Sequence, residues 1–269
     1  MHLIKKVLLL CFISITGFIS TSALAGQTSQ PTISIIIDDL GYRQKEDLRA
    51  LALPGPVAYA ILPQAPLTEK MSLIAAQKGK DILLHQPMQA MEKNKYLSPG
   101  ALTLNMTREE FIQTLNINMH NLPNLIGVNN HMGSLLTRHP GSMQWLMETL
   151  KQDGKFYVDS LTSDDSVAAE LAKENDIPYL TRDIFLDNKQ DPEYIRGQFM
   201  ELVKVAKLNG SALAIGHPHE TTIEVLSQML QNVDKYGVKL VGLKTLLLKH
   251  KHEDEKTYAQ GPGTTRAGM

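Results

Sequence analysis

The chain has 269 residues, with 27 Lys and Arg against 28 Asp and Glu, a formal charge of -1 at neutral pH. That balance offers no electrostatic footprint for nucleic acid. Its single cysteine, Cys11, lies in the first apolar run, which excludes a disulfide framework, thiol chemistry and thiolate metal sites downstream.

The first element in chain order is a leader. Residues 1-25 combine Lys5 and Lys6, a short apolar run and Ala23-Leu24-Ala25, the pattern of a secretory signal peptide cut after Ala25. The expectation is a periplasmic or otherwise secreted protein beginning at Gly26, with no stable membrane span once the leader is removed. Residues 26-249 are expected to form a single domain. Residues 250-269 are polar, carry Gly-Pro-Gly and show no apolar period, and they read as a disordered tail.

Between these ends, short β-branched runs alternate with amphipathic segments, the pattern of strand-helix units on a parallel sheet. The runs are 33-37, 57-61, 81-84, 126-128, 156-158, 178-180, 212-215 and 239-241. Helices are expected over 67-77, 107-121, 143-152, 167-174, 194-208 and 222-235. Thr107 with Glu110 and Thr221 with Glu224 have capping-box spacing. Residues 88-106 are too long for a tight connection and read as an excursion over the mouth of a barrel.

Polar residues recur directly after these runs: Asp38 and Asp39; His85 and Gln86; Asn129, Asn130 and His131; Asp159 and Ser160; Arg182 and Asp183; His217 and His219. In parallel α/β folds the carboxyl ends of the strands converge on one rim, where active sites are built. Asp38 and Asp39 are neighbours, so on an extended strand they would point oppositely. Both face the mouth only if the strand has ended and the chain turns there, as Gly41 would allow.

Carboxylates and imidazoles without cysteine suit a divalent metal with an open position for water, and metal-assisted hydrolysis is the first hypothesis. A serine nucleophile at Ser134 or Ser160 lacks the Gly-x-Ser-x-Gly elbow. A glycosidase pair, Asp38 or Asp39 with Asp159 or Asp183, leaves the histidines unexplained.

The stretches IIIDDLGY, ILLHQPMQ, GVNNHMGSLLT, FYVDSLTSDDSVA and AIGHPHETTIEVL together resemble the divergent polysaccharide deacetylase family, distant relatives of the chitooligosaccharide and peptidoglycan deacetylases. The resemblance implies a distorted (β/α) barrel of about seven strands with a divalent metal at its mouth, zinc first and Ni, Co, Mn or Fe as alternatives. It implies hydrolysis of acetyl groups on a polysaccharide or peptidoglycan. By the same resemblance Asp38 is the general base, Asp39 a metal ligand, and His217 or His219 the general acid. Better-known relatives take two ligand histidines one helical turn apart, but here Leu135 stands four residues after His131. His85 is therefore expected as the second histidine ligand, giving Asp39, His85 and His131, with His217 or His219 as a substitute for one of them. The arginine that supports the base in relatives has no secure counterpart, since Arg138 is too close to His131 and Arg182 is only a candidate. A non-catalytic glycan-binding or envelope-assembly factor on the same barrel is the alternative reading.

Overall fold

The computed structural model describes residues 30-92 and 94-250. The expected signal peptide and residues 251-269 of the expected tail lie outside the described residues. His250, taken as the first tail residue, instead lies in a helical stretch that begins at 243.

The elements run β1 (Thr32–Leu40), α1 (Gln44–Ala50), β2 (Ala58–Ile61), α2 (Thr68–Gln77), β3 (Ile82–Met88), α3 (Arg108–His120), β4 (Leu125–Met132), α4 (Pro140–Gln152), β5 (Phe156–Asp159), α5 (Ala168–Glu174), β6 (Tyr179–Thr181), β7 (Ile184–Phe185), α6 (Pro192–Asn209), β8 (Ser211–Gly216), α7 (Glu220–Leu230) and β9 (Lys239–Leu240). Every pairing is parallel, in the order β6-β5-β4-β3-β2-β1-β8-β7, and β9 pairs with the start of β1.

The two outer strands, β6 and β7, are separated in sequence only by Arg182 and Asp183. The Arg182 amide donates to Asp159 at the end of β5, and the Asp183 amide donates to Leu213 of β8. One broken strand thus hands its hydrogen bonds from one flank to the other. Counted as a single stave it gives the expected distorted barrel of seven strands, with β9 appended at the bottom.

Strand alternation divides the core in two. Ile33, Ile35, Ile37, Tyr59, Leu84 and Tyr157 face outward beneath the helices. Ile36, Ala58, Ala60, Leu83, Phe156, Val158, Leu180, Leu213 and Ile215 face inward, and Val241, Leu243 and Leu246 join them from the last segment, closing the lower end.

Several helix boundaries differ from expectation for local reasons. α1 was not expected; the carboxylate of Asp47 within it accepts the Gly41 and Arg43 amides at 2.9 and 3.3 Å, folding the chain back on itself. α4 starts at Pro140 because His139 caps it, its ring accepting the Ser142 amide. The Thr107–Glu110 capping box forms as expected. The Thr221–Glu224 box does not: α7 begins two residues earlier with His219 at its cap, and Glu224 instead pairs with Arg49. The excursion over 88-106 is pinned by mutual backbone bonds between Pro87, Gln89 and Leu102, and the amide of its exposed Met91 donates to Ser134 in the loop after β4.

Candidate metal centre

Strands β1, β3 and β4 run three to four residues past their apolar runs, so Asp38, Asp39, His85, Gln86, Asn129, Asn130 and His131 lie on the strands rather than after them. The inward face that is apolar below continues as polar above, two residues on each time: Ile36 leads to Asp38, Leu83 to His85, Val158 to Ser160, Leu180 to Arg182 and Ile215 to His217.

Asp39 has the wrong parity for this face and reaches it by distortion. Between Ile37 and Leu40 of β1 three steps oppose the two from Tyr59 to Ile61 of β2, a β-bulge, and Asp39 sits at a φ of 62°. Aspartate is among the few non-glycine residues that adopt this left-handed conformation routinely. The two aspartates face one site because the strand bulges, not because it ends.

Asp39 Oδ1 lies 2.9 Å from His131 Nδ1 and 3.1 Å from His85 Nε2, and those two nitrogens are 3.1 Å apart. Although buried, Asp39 Oδ1 has no hydrogen bond of acceptable geometry, so its lone pairs converge with those of the rings on a common point. Ligand atoms about 2.0–2.2 Å from a tetrahedral ion are about 3.3–3.6 Å apart, so the trio fits a small divalent cation after spreading by a few tenths of an ångström. Burial disfavours charge on Asp39, but the two imidazoles outweigh it and hold the carboxyl well below its usual range. Burial also opposes charge on His85, and Asp38 and Asp39 together overcome it, raising its pKa.

Asp38 is 2 % exposed, and burial raises its pKa. Its Oδ2 is 3.7 Å from His85 Nε2, and its Oδ1 accepts from Asn129 Nδ2 at 2.9 Å. His217 reaches toward the trio, with Nε2 4.0 Å from Asp39 Oδ2. Its Nδ1 donates to Asp187 Oδ1 at 2.9 Å, while Asp187 Oδ2 accepts the His217 amide and the Thr222 hydroxyl. Burial opposes charge on His217, but Asp187 beside it prevails, raising its pKa to about 9. His219 turns aside to Gln190, and burial lowers its pKa. Asp187, His217 and His219 are also close enough to share a cation, but with both Asp187 oxygens committed to protein donors the carboxylate serves His217.

Asp187 was missed by sequence reading. The signal was present: IFLD repeats the apolar-then-acid pattern of IIID on a run too short to register as a strand.

Asp159 and Asp183 do not join the cluster. Asp159 accepts from the Leu161 amide and the Ser166 hydroxyl, and Asp183 from the Leu213 amide. Both serve loop closure, which removes the glycosidase pairing. Ser134 accepts the Met91 amide, and Ser160 Oγ faces Asn129, so neither has a histidine base. Arg138 pairs with Asp165 and donates to Met91 Sδ, without bonding Asp38. Arg182 stacks 3.7 Å above the Phe185 ring and donates to the Ser160 and Leu161 carbonyls, holding the rim without bonding Asp38.

The sequence profile described as divergent polysaccharide deacetylase matches residues 35–247. An uncharacterized protein of Haemophilus influenzae is 38% identical over 218 residues, covering 81% of this chain and 77% of its own. Escherichia coli YibQ, also described as uncharacterized, is 33% identical over 234 residues, 87% of this chain and 73% of its own. A crystal structure of an uncharacterized Agrobacterium tumefaciens protein superposes with a TM-score of 0.78 at 21% identity, covering 81% of this chain and 89% of that one.

Proposed function

The chain belongs to the divergent polysaccharide deacetylase family, and from that premise we propose that it is an exported, metal-dependent deacetylase acting on an envelope polysaccharide or peptidoglycan. The observation that carries the reading is the convergence of Asp39, His85 and His131 on one point, with Asp38 on one side of it and His217 on another.

A divalent metal held by Asp39, His85 and His131, zinc being the first choice for this donor set, would polarise the acetyl carbonyl and acidify a water. Asp38, whose burial raises its proton affinity, would act as general base, accepting a proton from an attacking water. His217, charged at neutral pH and oriented by Asp187, returns a proton to the departing sugar nitrogen or oxygen as the carbonyl re-forms. The products are acetate and a free amine or hydroxyl. His219 has no part in these steps.

The signal-like leader supports export to the periplasm or beyond, where such glycans lie. No helix among the described residues is long and apolar enough to cross a membrane.

The test is acetate release from peptidoglycan and chitin fragments by protein purified without a His tag, stripped of metal and reloaded with each candidate ion. Release by the parent and its loss in His131→Ala support the reading. A parent that binds metal yet releases no acetate from any acetylated glycan favours the second reading, a non-catalytic glycan-binding or assembly factor. One observation favours that alternative: Asp38 accepts its hydrogen bond from an amide rather than an arginine.

A further inference from the structure

Asn129 is fully buried on β4, opposite His85 of β3 in the strand register, and its side chain bridges two members of the cluster. Its Oδ1 lies 2.9 Å from His85 Nδ1, and its Nδ2 donates to Asp38 Oδ1 at 2.9 Å and more weakly to Ser160 Oγ at 3.4 Å.

We infer that Asn129 is a positioning residue that fixes the tautomer of His85 and the aim of Asp38 together. The inference rests on the metal-dependent reading of the site and assigns this residue a role within it. Its logic is one of donors and acceptors. An ionised carboxylate only accepts, so Asp38 dictates which end of the amide it meets, and that end is the NH2 group. The amide oxygen must then face His85 Nδ1, and because it too only accepts, Nδ1 must carry the proton. A neutral imidazole protonated at Nδ1 has its lone pair on Nε2, the nitrogen 3.1 Å from both Asp39 Oδ1 and His131 Nδ1. The wrong tautomer would point a proton at the metal position and cancel one ligand of three. An amide thus does for His85 what an outer carboxylate or carbonyl does for most metal-bound histidines. It also gives Asp38 its only side-chain hydrogen-bond donor among the described residues, in the position where relatives are expected to use an arginine.

Two substitutions of similar size separate the halves of this role. Asn129→Asp keeps an oxygen for the His85 Nδ1 proton but sets an acceptor against Asp38. Asn129→Leu removes both contacts. Metal affinity, read by chelator competition with zinc, should fall about ten- to a hundredfold in Asn129→Leu and stay within a few-fold of the parent in Asn129→Asp. Acetate release at saturating zinc should fall about a hundredfold or more in both, with kcat rather than KM carrying the loss. In zinc-saturated protein, imidazole nitrogen NMR should find the His85 proton on Nδ1 in the parent and in Asn129→Asp, and a mixture in Asn129→Leu. Should Asn129→Leu fail to fold, the Asp variant and the parent tautomer still decide the matter. Parent-like zinc affinity in Asn129→Leu, a parent His85 protonated at Nε2, or full turnover in Asn129→Asp would each overturn the inference. If the parent releases no acetate at all, the proposed activity fails, and the zinc and NMR results alone judge Asn129.

Discussion

Asp38 and His217 are each defined by one partner, and each can be tested by removing one property. Asp38→Asn nearly preserves shape but cannot take a proton from water, so it should retain zinc and lower acetate release by about a hundredfold or more. His217→Ala should cost a similar factor with zinc retained, while His219→Ala should leave turnover within a few-fold; zinc loss in His217→Ala would make it a ligand instead. The His217–Asp187 pair also predicts a stability profile. His217 is raised from its ordinary 6.5 to about 9, so its stabilising contribution is complete below 6.5 and disappears as pH rises through 9. Asp187 is lowered from its ordinary 3.8, so its contribution is present above that value and lost as pH falls through the lower folded one. Urea unfolding of the metal-free protein should therefore show stability declining from pH 6.5 to 9, and Asp187→Asn should flatten that slope.

At the level of elements, Asp47 carries more than its position on a seven-residue helix suggests. It is fully buried, and its carboxylate accepts two amides of the turn that leads out of the β1 bulge, where Gly41 has a φ of 125° and any Cβ would meet Ala65 at 2.8 Å. Asp47→Ala leaves the buried Gly41 amide without a partner and should cost about 1–3 kcal/mol in denaturant unfolding. It should also weaken zinc binding, because the turn it holds follows Asp39 directly; unchanged affinity would uncouple turn from site. This region marks where the sequence ceased to be readable. The apolar runs located eight of the nine strands, but in β1, β3, β4 and β5 the reading stopped at the first polar residue. Inward-facing Asp38, His85 and Asn129 look like loop residues unless the period of two is carried past the apolar core. The bulge at Asp39 leaves no trace in composition. The grouping of Asp39, His85 and His131 was legible through resemblance and rim position, whereas the choice of His217 over His219 and the part of Asp187 depended on side-chain directions that spacing does not encode.

For the molecule as a whole, the barrel is closed below by Val241, Leu243 and Leu246. Removing buried side chains of this size costs about 2–5 kcal/mol each, comparable together to the entire stability of a typical domain. Deleting residues 239-269 should therefore abolish cooperative unfolding; a folded product from that deletion would show that the plug is dispensable. Exposed strand edges invite a second chain to add on, which is how many β-rich proteins begin to aggregate. Here the two unpaired flanks are strands of three and two residues joined by a two-residue link, and the guanidinium of Arg182 is tied across that link to the Ser160 and Leu161 carbonyls. Neither flank is long enough to template another strand. Among the described residues, the native state therefore offers neighbouring copies no long strand edge on which to grow a fibril.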